Sequence, residues 1–149
     1  MARFHLAQLN VARAVAPLDD GQMADFMNRL DEVNALAERS LGFVWRLKTD
    51  AGNATDIKVT DDPLFIINMS VWESIDHLHT YVYRSDHKDL FARRFEWFER
   101  SDGPSMVLWW HPVGVEPTAE QALARLQLLA ERGPSHDAFT FKERFDRPR

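Results

Sequence analysis

"LFIINMSVWESIDHLHTYVYRSDHKDLFARRFEWF", residues 64–98, changes its period partway along. Up to Trp72 the residues alternate, with Phe65, Ile67, Met69 and Val71 on one side and Leu64, Ile66, Asn68, Ser70 and Trp72 on the other. This predicts a strand with one apolar face and one face that turns polar towards its end. Beyond Ser74 the apolar spacing becomes three and four. Ser74 suits a helix cap and Ser85 a second cap at a break near "YRSDH", so residues 75–100 read as two helical pieces.

The neighbouring segments fit around this strand–helix unit. "FHLAQLNV", residues 4–11, is short, apolar and partly alternating, which predicts a strand. After "APLDDGQ", Asp19 with Gln22 resembles a capping pair, and Met23, Phe26, Met27, Leu30, Val33, Leu36 and Ala37 recur at helical spacing over 20–39. Gly42 is a stop signal, "FVWRL" a second strand, and "TDAGNATD" a turn-rich link to the strand at 64–72. "MVLWWHPV" is a further strand, and Thr118 with Gln121 forms a capping box that opens a helix ending near Gly133. The order strand, helix, strand, strand, helix, strand, extra helix predicts an α+β fold, a ferredoxin-like βαββαβ sheet with helices on one face. Trp45, Trp109 and Trp110 on the strands lead us to expect a second subunit over the other face.

A chain of 149 residues with 45% hydrophobic content suits one domain, expected over 1–141, with a charged tail at 142–149 expected to fray. Eighteen Lys and Arg against 23 Asp and Glu give a net charge of -5, the wrong sign for wrapping nucleic-acid phosphates. Without cysteine there are no disulfides, thiolate metal sites or cysteine nucleophiles. The stretch "MARFHLAQLNV" lacks the apolar core of a signal peptide or a membrane span, so the expectation is a cytoplasmic protein. "NAT" at Asn53–Thr55 then reads as turn chemistry rather than a glycosylation acceptor.

"HLAQLNVARAVAPLDD", "GFVWRL", "NMSVWES", "YVYRSDHKDLFARRFEWF" and "MVLWWHPVG" resemble, in order, a bacterial family of uncharacterised domains related to the antibiotic-biosynthesis monooxygenases and the dimeric α/β barrel proteins. The resemblance runs over roughly residues 4–141. It implies a ferredoxin-like protomer, a homodimer in which two sheets form a dimeric α/β barrel, and a pocket between each sheet and its own helices. The wider superfamily includes cofactor-free oxygenases, isomerases, lyases, haem proteins and binders, so it implies no single reaction.

His87, Leu90, Phe91, Arg94, Trp97 and Phe98 fall at spacings of three and four, which predicts one inward helical stripe. If Phe91 is fully buried there, its truncation to alanine costs roughly 3–5 kcal/mol. A rise of 1.5 Å per residue puts His87 and Arg94 about 10 Å apart, the span of a small ring system. Each polar residue has two readings. His87 either bonds a backbone carbonyl near the helix break or serves as general base or hydrogen-bond donor to a substrate oxygen. Arg94 either pairs with a carboxylate at the rim or holds a substrate carboxylate or oxyanion.

The candidate site is thus His87 as the catalytic residue, with Arg94, Asn68, Trp72 and Phe91 binding substrate. No metal or cofactor is assigned. His77 and His79, two apart on a helix, project about 200° from each other and cannot converge on one ion. His5, His87 and His111 can meet only if strand registry brings them together. The expected function is an enzyme using acid/base or cofactor-free oxygenase-like chemistry on a small apolar or aromatic molecule, and the oxygenase form needs an electron-rich substrate such as a polyphenol. The alternatives are a non-catalytic binder of an apolar metabolite and a haem-binding protein.

Overall fold

The computed structural model describes residues 3–48, 61–85 and 87–149. The turn-rich segment "TDAGNATD", with Asn53–Thr55, lies outside the described residues.

Strand β1 (Phe4–Arg13) leads through a 3-10 turn (Gly21–Met23) into α1 (Ala24–Glu38). Asp20, rather than Asp19, caps this turn, its Oδ1 accepting from Gln22 N at 2.9 Å. Then come β2 (Phe43–Arg46), β3 (Phe65–Trp72), α2 (Ile75–Arg84), α3 (His87–Ala92), α4 (Arg94–Trp97), β4 (Met106–Pro112) and α5 (Ala119–Arg132). The strands form one sheet of order β2-β3-β1-β4 with antiparallel neighbours, the ferredoxin-like arrangement. Ser74 caps α2, the Ser85 hydroxyl accepts from His87 N at 3.2 Å, and Thr118 with Gln121 closes the capping box of α5.

Gly42 makes the link from α1 to β2. Its φ is 84°, and a Cβ there would fall inside the His77 side chain. Gly42→Ala therefore strains the backbone and displaces the start of α2, an expected loss of about 1–3 kcal/mol, seen as a lower denaturation midpoint. An unchanged midpoint would mean that the α1–β2 link takes another path.

The alternation of β3 separates two cores. Ile66 and Trp72 join Leu6, Leu108, Phe26, Val33, Leu78 and Tyr81 beneath α1 and α2. Ile67, Met69 and Val71 join Ala7, Leu9, Val107 and Trp109 beneath Ala122 and Leu129 of α5. The second sheet face is thus covered by the chain's own α5, and Trp109 is 1% exposed. Trp109 is therefore buried within the chain itself, without a second subunit. Trp110 lies on the opposite face and its Nε1 donates to Phe145 O at 2.9 Å.

The C-terminal segment expected to fray carries contacts of its own. Phe145 packs on Phe139 and His136, Arg144 meets Asp76 at 3.3 Å, and Arg147 Nη2 donates to Glu73 O. Phe139, fully buried, pairs with Leu108 through two backbone hydrogen bonds of 2.8 Å and closes the outer edge of β4. Among the described residues no helix is long and apolar enough to cross a membrane.

Candidate functional site

Between the first sheet face and the helices α1–α4 lies a cavity of about 750 Å³. Its floor is the polar side of β1 and β3, where Gln8 stands opposite Ser70 and Asn10 opposite Asn68. Gln8 Nε2 donates to Asn68 Oδ1 at 2.8 Å and to Ser70 Oγ at 2.9 Å, while Trp72 Nε1 donates to Ser70 Oγ at 2.8 Å. These bonds leave the Asn68 amide NH2 and the Gln8 carbonyl as groups a ligand can use. The Ser70 hydroxyl accepts twice, so its own proton is available as a donor.

Trp72 is fully buried, stacked on Tyr81 at 5.0 Å and edge-on to Phe43 at 5.5 Å. Its contribution to the floor runs through Ser70. Tyr81 OH donates to Val33 O at 3.1 Å and ties α2 to α1, and burial pushes its phenol well above the usual range.

His87 lines the same cavity, half-buried at the start of α3, its ring 5.0 Å from that of Tyr81. Nδ1 lies 3.2 Å from Val82 O, and since a carbonyl only accepts, Nδ1 carries the proton. Nε2 is then the lone-pair nitrogen, and no described residue bonds to it. Burial lowers the pKa of His87 below its ordinary 6.5, with the Val82 carbonyl opposing that shift. The ring is neutral at pH 7, fixed in one tautomer and able to accept a proton. The backbone-carbonyl reading of His87 is therefore realised.

The predicted single stripe does not survive intact. The helix breaks at Arg93 between α3 and α4, so the straight-helix spacing of His87 and Arg94 does not apply, although both line the cavity. Leu90 and Trp97 are buried, but Phe91 is 37% exposed at the mouth, against the full burial that a continuous helix implied. Arg94 donates to Phe91 O at 2.8 Å and lies over the Phe91 ring at 4.0 Å. No described carboxylate comes within ion-pair distance of it, so the rim pairing expected for Arg94 is absent among the described residues.

All five candidates, His87, Arg94, Asn68, Trp72 and Phe91, border one cavity. Sequence reasoning missed Gln8 and Asn10, whose even-numbered alternation with Leu6 was the available signal, and Asn34, a buried amide on α1 that also lines the space. His5 and His111 are opposed across β1 and β4 on the α5 side of the sheet, so they cannot meet His87. Among the described residues no group of three or more His, Asp or Glu is placed to hold a metal ion.

His111 is 6% exposed, its Nδ1 accepting from Trp109 Nε1 at 3.2 Å. Burial, with the positive charge of Arg125 adding and the Val115 backbone opposing, lowers its pKa. Both His87 and His111 are thus held neutral in the fold, while the unfolded chain binds a proton at each near the ordinary value of 6.5. Their stability contribution is complete above that pH and is lost as the pH falls below it. The urea midpoint is expected to drop between pH 7.5 and pH 5, and a flat midpoint over that window would refute the neutral burial of both rings.

This is an α+β chain of ferredoxin-like fold with a polar-floored cavity between sheet and helices. It belongs to the DUF3291 family, a domain of unknown function, whose model matches residues 5–149. No curated protein matches the chain. Among solved structures it is similar to a conserved protein from Methanosarcina mazei Go1, with 14% identity, 74% of this chain and 93% of that one covered, and a TM-score of 0.52. It is also similar to PA3566 from Pseudomonas aeruginosa, with 13% identity, 77% and 99% covered, and a TM-score of 0.50. A third is the ActVA-Orf6 monooxygenase of Streptomyces coelicolor in complex with Nanaomycin D, at 14% identity, 78% and 95% covered, and a TM-score of 0.47. For the first two, at these identities, the likeness is one of fold.

Proposed function

We propose that the protein binds a small apolar or aromatic organic molecule in the helix–sheet cavity and that His87 acts on it as a general base. The observation that carries this reading is the His87 ring, which lines a cavity of about 750 Å³ with its Nδ1 proton engaged by Val82 O and its Nε2 bonded by no described residue. Around it, Asn68 and Ser70 supply hydrogen bonds to a substrate oxygen, and Trp72 holds Ser70 in place. Arg94 brings a positive charge to the mouth, where it stabilises negative charge left on the substrate after proton removal. The chemistry this supports is proton abstraction from an acidic O–H or C–H. On an electron-rich phenol it is the opening step of cofactor-free oxygenation.

Mass spectrometry of the small molecules released from the purified protein tests the reading. A released aromatic or apolar molecule that the protein then converts supports it. A molecule bound but returned unchanged would make the protein a binder, and a Soret band in the purified protein would make it a haem protein.

A further inference from the structure

Glu99, which lines the cavity, and the acids Asp62, Glu96 and Asp25 are committed to two arginines. Arg13 meets Asp62 at 2.7 Å and Glu99 at 2.5 Å, and Arg93 meets Glu96 at 2.7 Å and Asp25 at 3.2 Å. Arg94 and Arg100, which also line the cavity, have no carboxylate within ion-pair distance among the described residues. Both lie against the same ring instead. The guanidinium carbon of Arg94 is 4.5 Å from the centre of Phe95, and that of Arg100 is 3.9 Å from it. Phe95 itself is 41% exposed.

Two like charges held against one exposed ring repel each other, and the ring quadrupole only partly offsets that. An anion at the mouth offsets that repulsion. The guanidinium fork suits a planar oxyanion, and the cavity behind it suits an apolar body. We propose that Arg94 and Arg100, positioned by Phe95, form a clamp for an acidic oxygen group, such as a carboxylate, on an organic ligand whose apolar body fills the cavity. This rests on the cavity being the ligand site and narrows the ligand class to amphipathic organic anions.

Two dyes with the same body test it: 8-anilinonaphthalene-1-sulfonate, an anion, and N-phenyl-1-naphthylamine, its uncharged counterpart. The anion is expected to bind about 10-fold tighter at low salt, to lose that advantage as salt screens it, and to be displaced by the neutral dye. Arg94→Gln and Arg100→Gln, both near the surface, should each weaken the anion by about 3- to 10-fold while leaving the neutral dye's affinity and the melting temperature in place. Equal affinity for the two dyes, or an anion indifferent to both substitutions, would overturn the clamp and leave the cavity as a neutral site. Failure of both dyes to bind would remove the cavity reading, and the clamp with it.

Discussion

Trp97→Ala is expected to lower stability by about 3–5 kcal/mol, whereas Phe91→Ala, on the preceding helix, lowers it by roughly 1 kcal/mol or less. Trp97 is 2% exposed, its ring 5.6 Å from that of Phe26 and beneath the Arg93 guanidinium at 4.7 Å. Its carbonyl also accepts from Val15 N at 2.8 Å, so it fastens the end of α4 to the chain leaving β1. Truncation there opens a void between α1 and the α3–α4 unit that neighbouring backbone cannot fill. Phe91 has open solvent on one side and rests edge-on against Tyr83 at 5.6 Å. Paired urea titrations measure both losses. If the two variants lose the same amount, the break between α3 and α4 is misplaced and Phe91 belongs to the core.

That break explains much of what the sequence could and could not disclose. Elements with their own period, such as β3 and α1, are legible because alternation and the three-and-four spacing are local properties. Ser74, Ser85 and Thr118 mark their helix starts because a cap is equally local. The turn at Arg93 is different. "LFARRFEWF" keeps helical spacing through it, and only packing of Trp97 against α1 shows that the chain bends there. Alternation likewise says that Trp109 and Trp110 oppose each other, but not which one meets α5. The apolar stripe of α5, including Ala122, Leu126 and Leu129, announces an amphipathic helix without naming the surface it covers. For this reason the sequence invited a partner subunit over the second sheet face, while in the structure α5 packs on its β1 and β4 strands and buries Trp109. Arg100, in the segment after α4, belongs to no period at all, and its place at the mouth emerges only from its contact with Phe95.

His87→Gln is expected to reduce turnover of the molecule released from the purified protein by about 10²–10⁴-fold, the usual worth of a positioned base. Stability should change little by comparison, because the side chain makes one hydrogen bond, to Val82 O, worth about 0.5–1.5 kcal/mol. The pH profile separates a base from a merely structural ring. A base works in its neutral form, and burial lowers the pKa of His87 below 6.5, so activity should hold above that pH and fall along an acid limb beneath it. His87→Gln should abolish that limb along with the rate. Nitrogen NMR of the resting protein checks the premise without any substrate, since the ring must show a protonated Nδ1 and a bare Nε2 at pH 7. A variant that keeps both the rate and the acid limb would place the base elsewhere in the cavity. A ring found with its proton on Nε2 would remove the lone pair from the position where the proposed chemistry needs it.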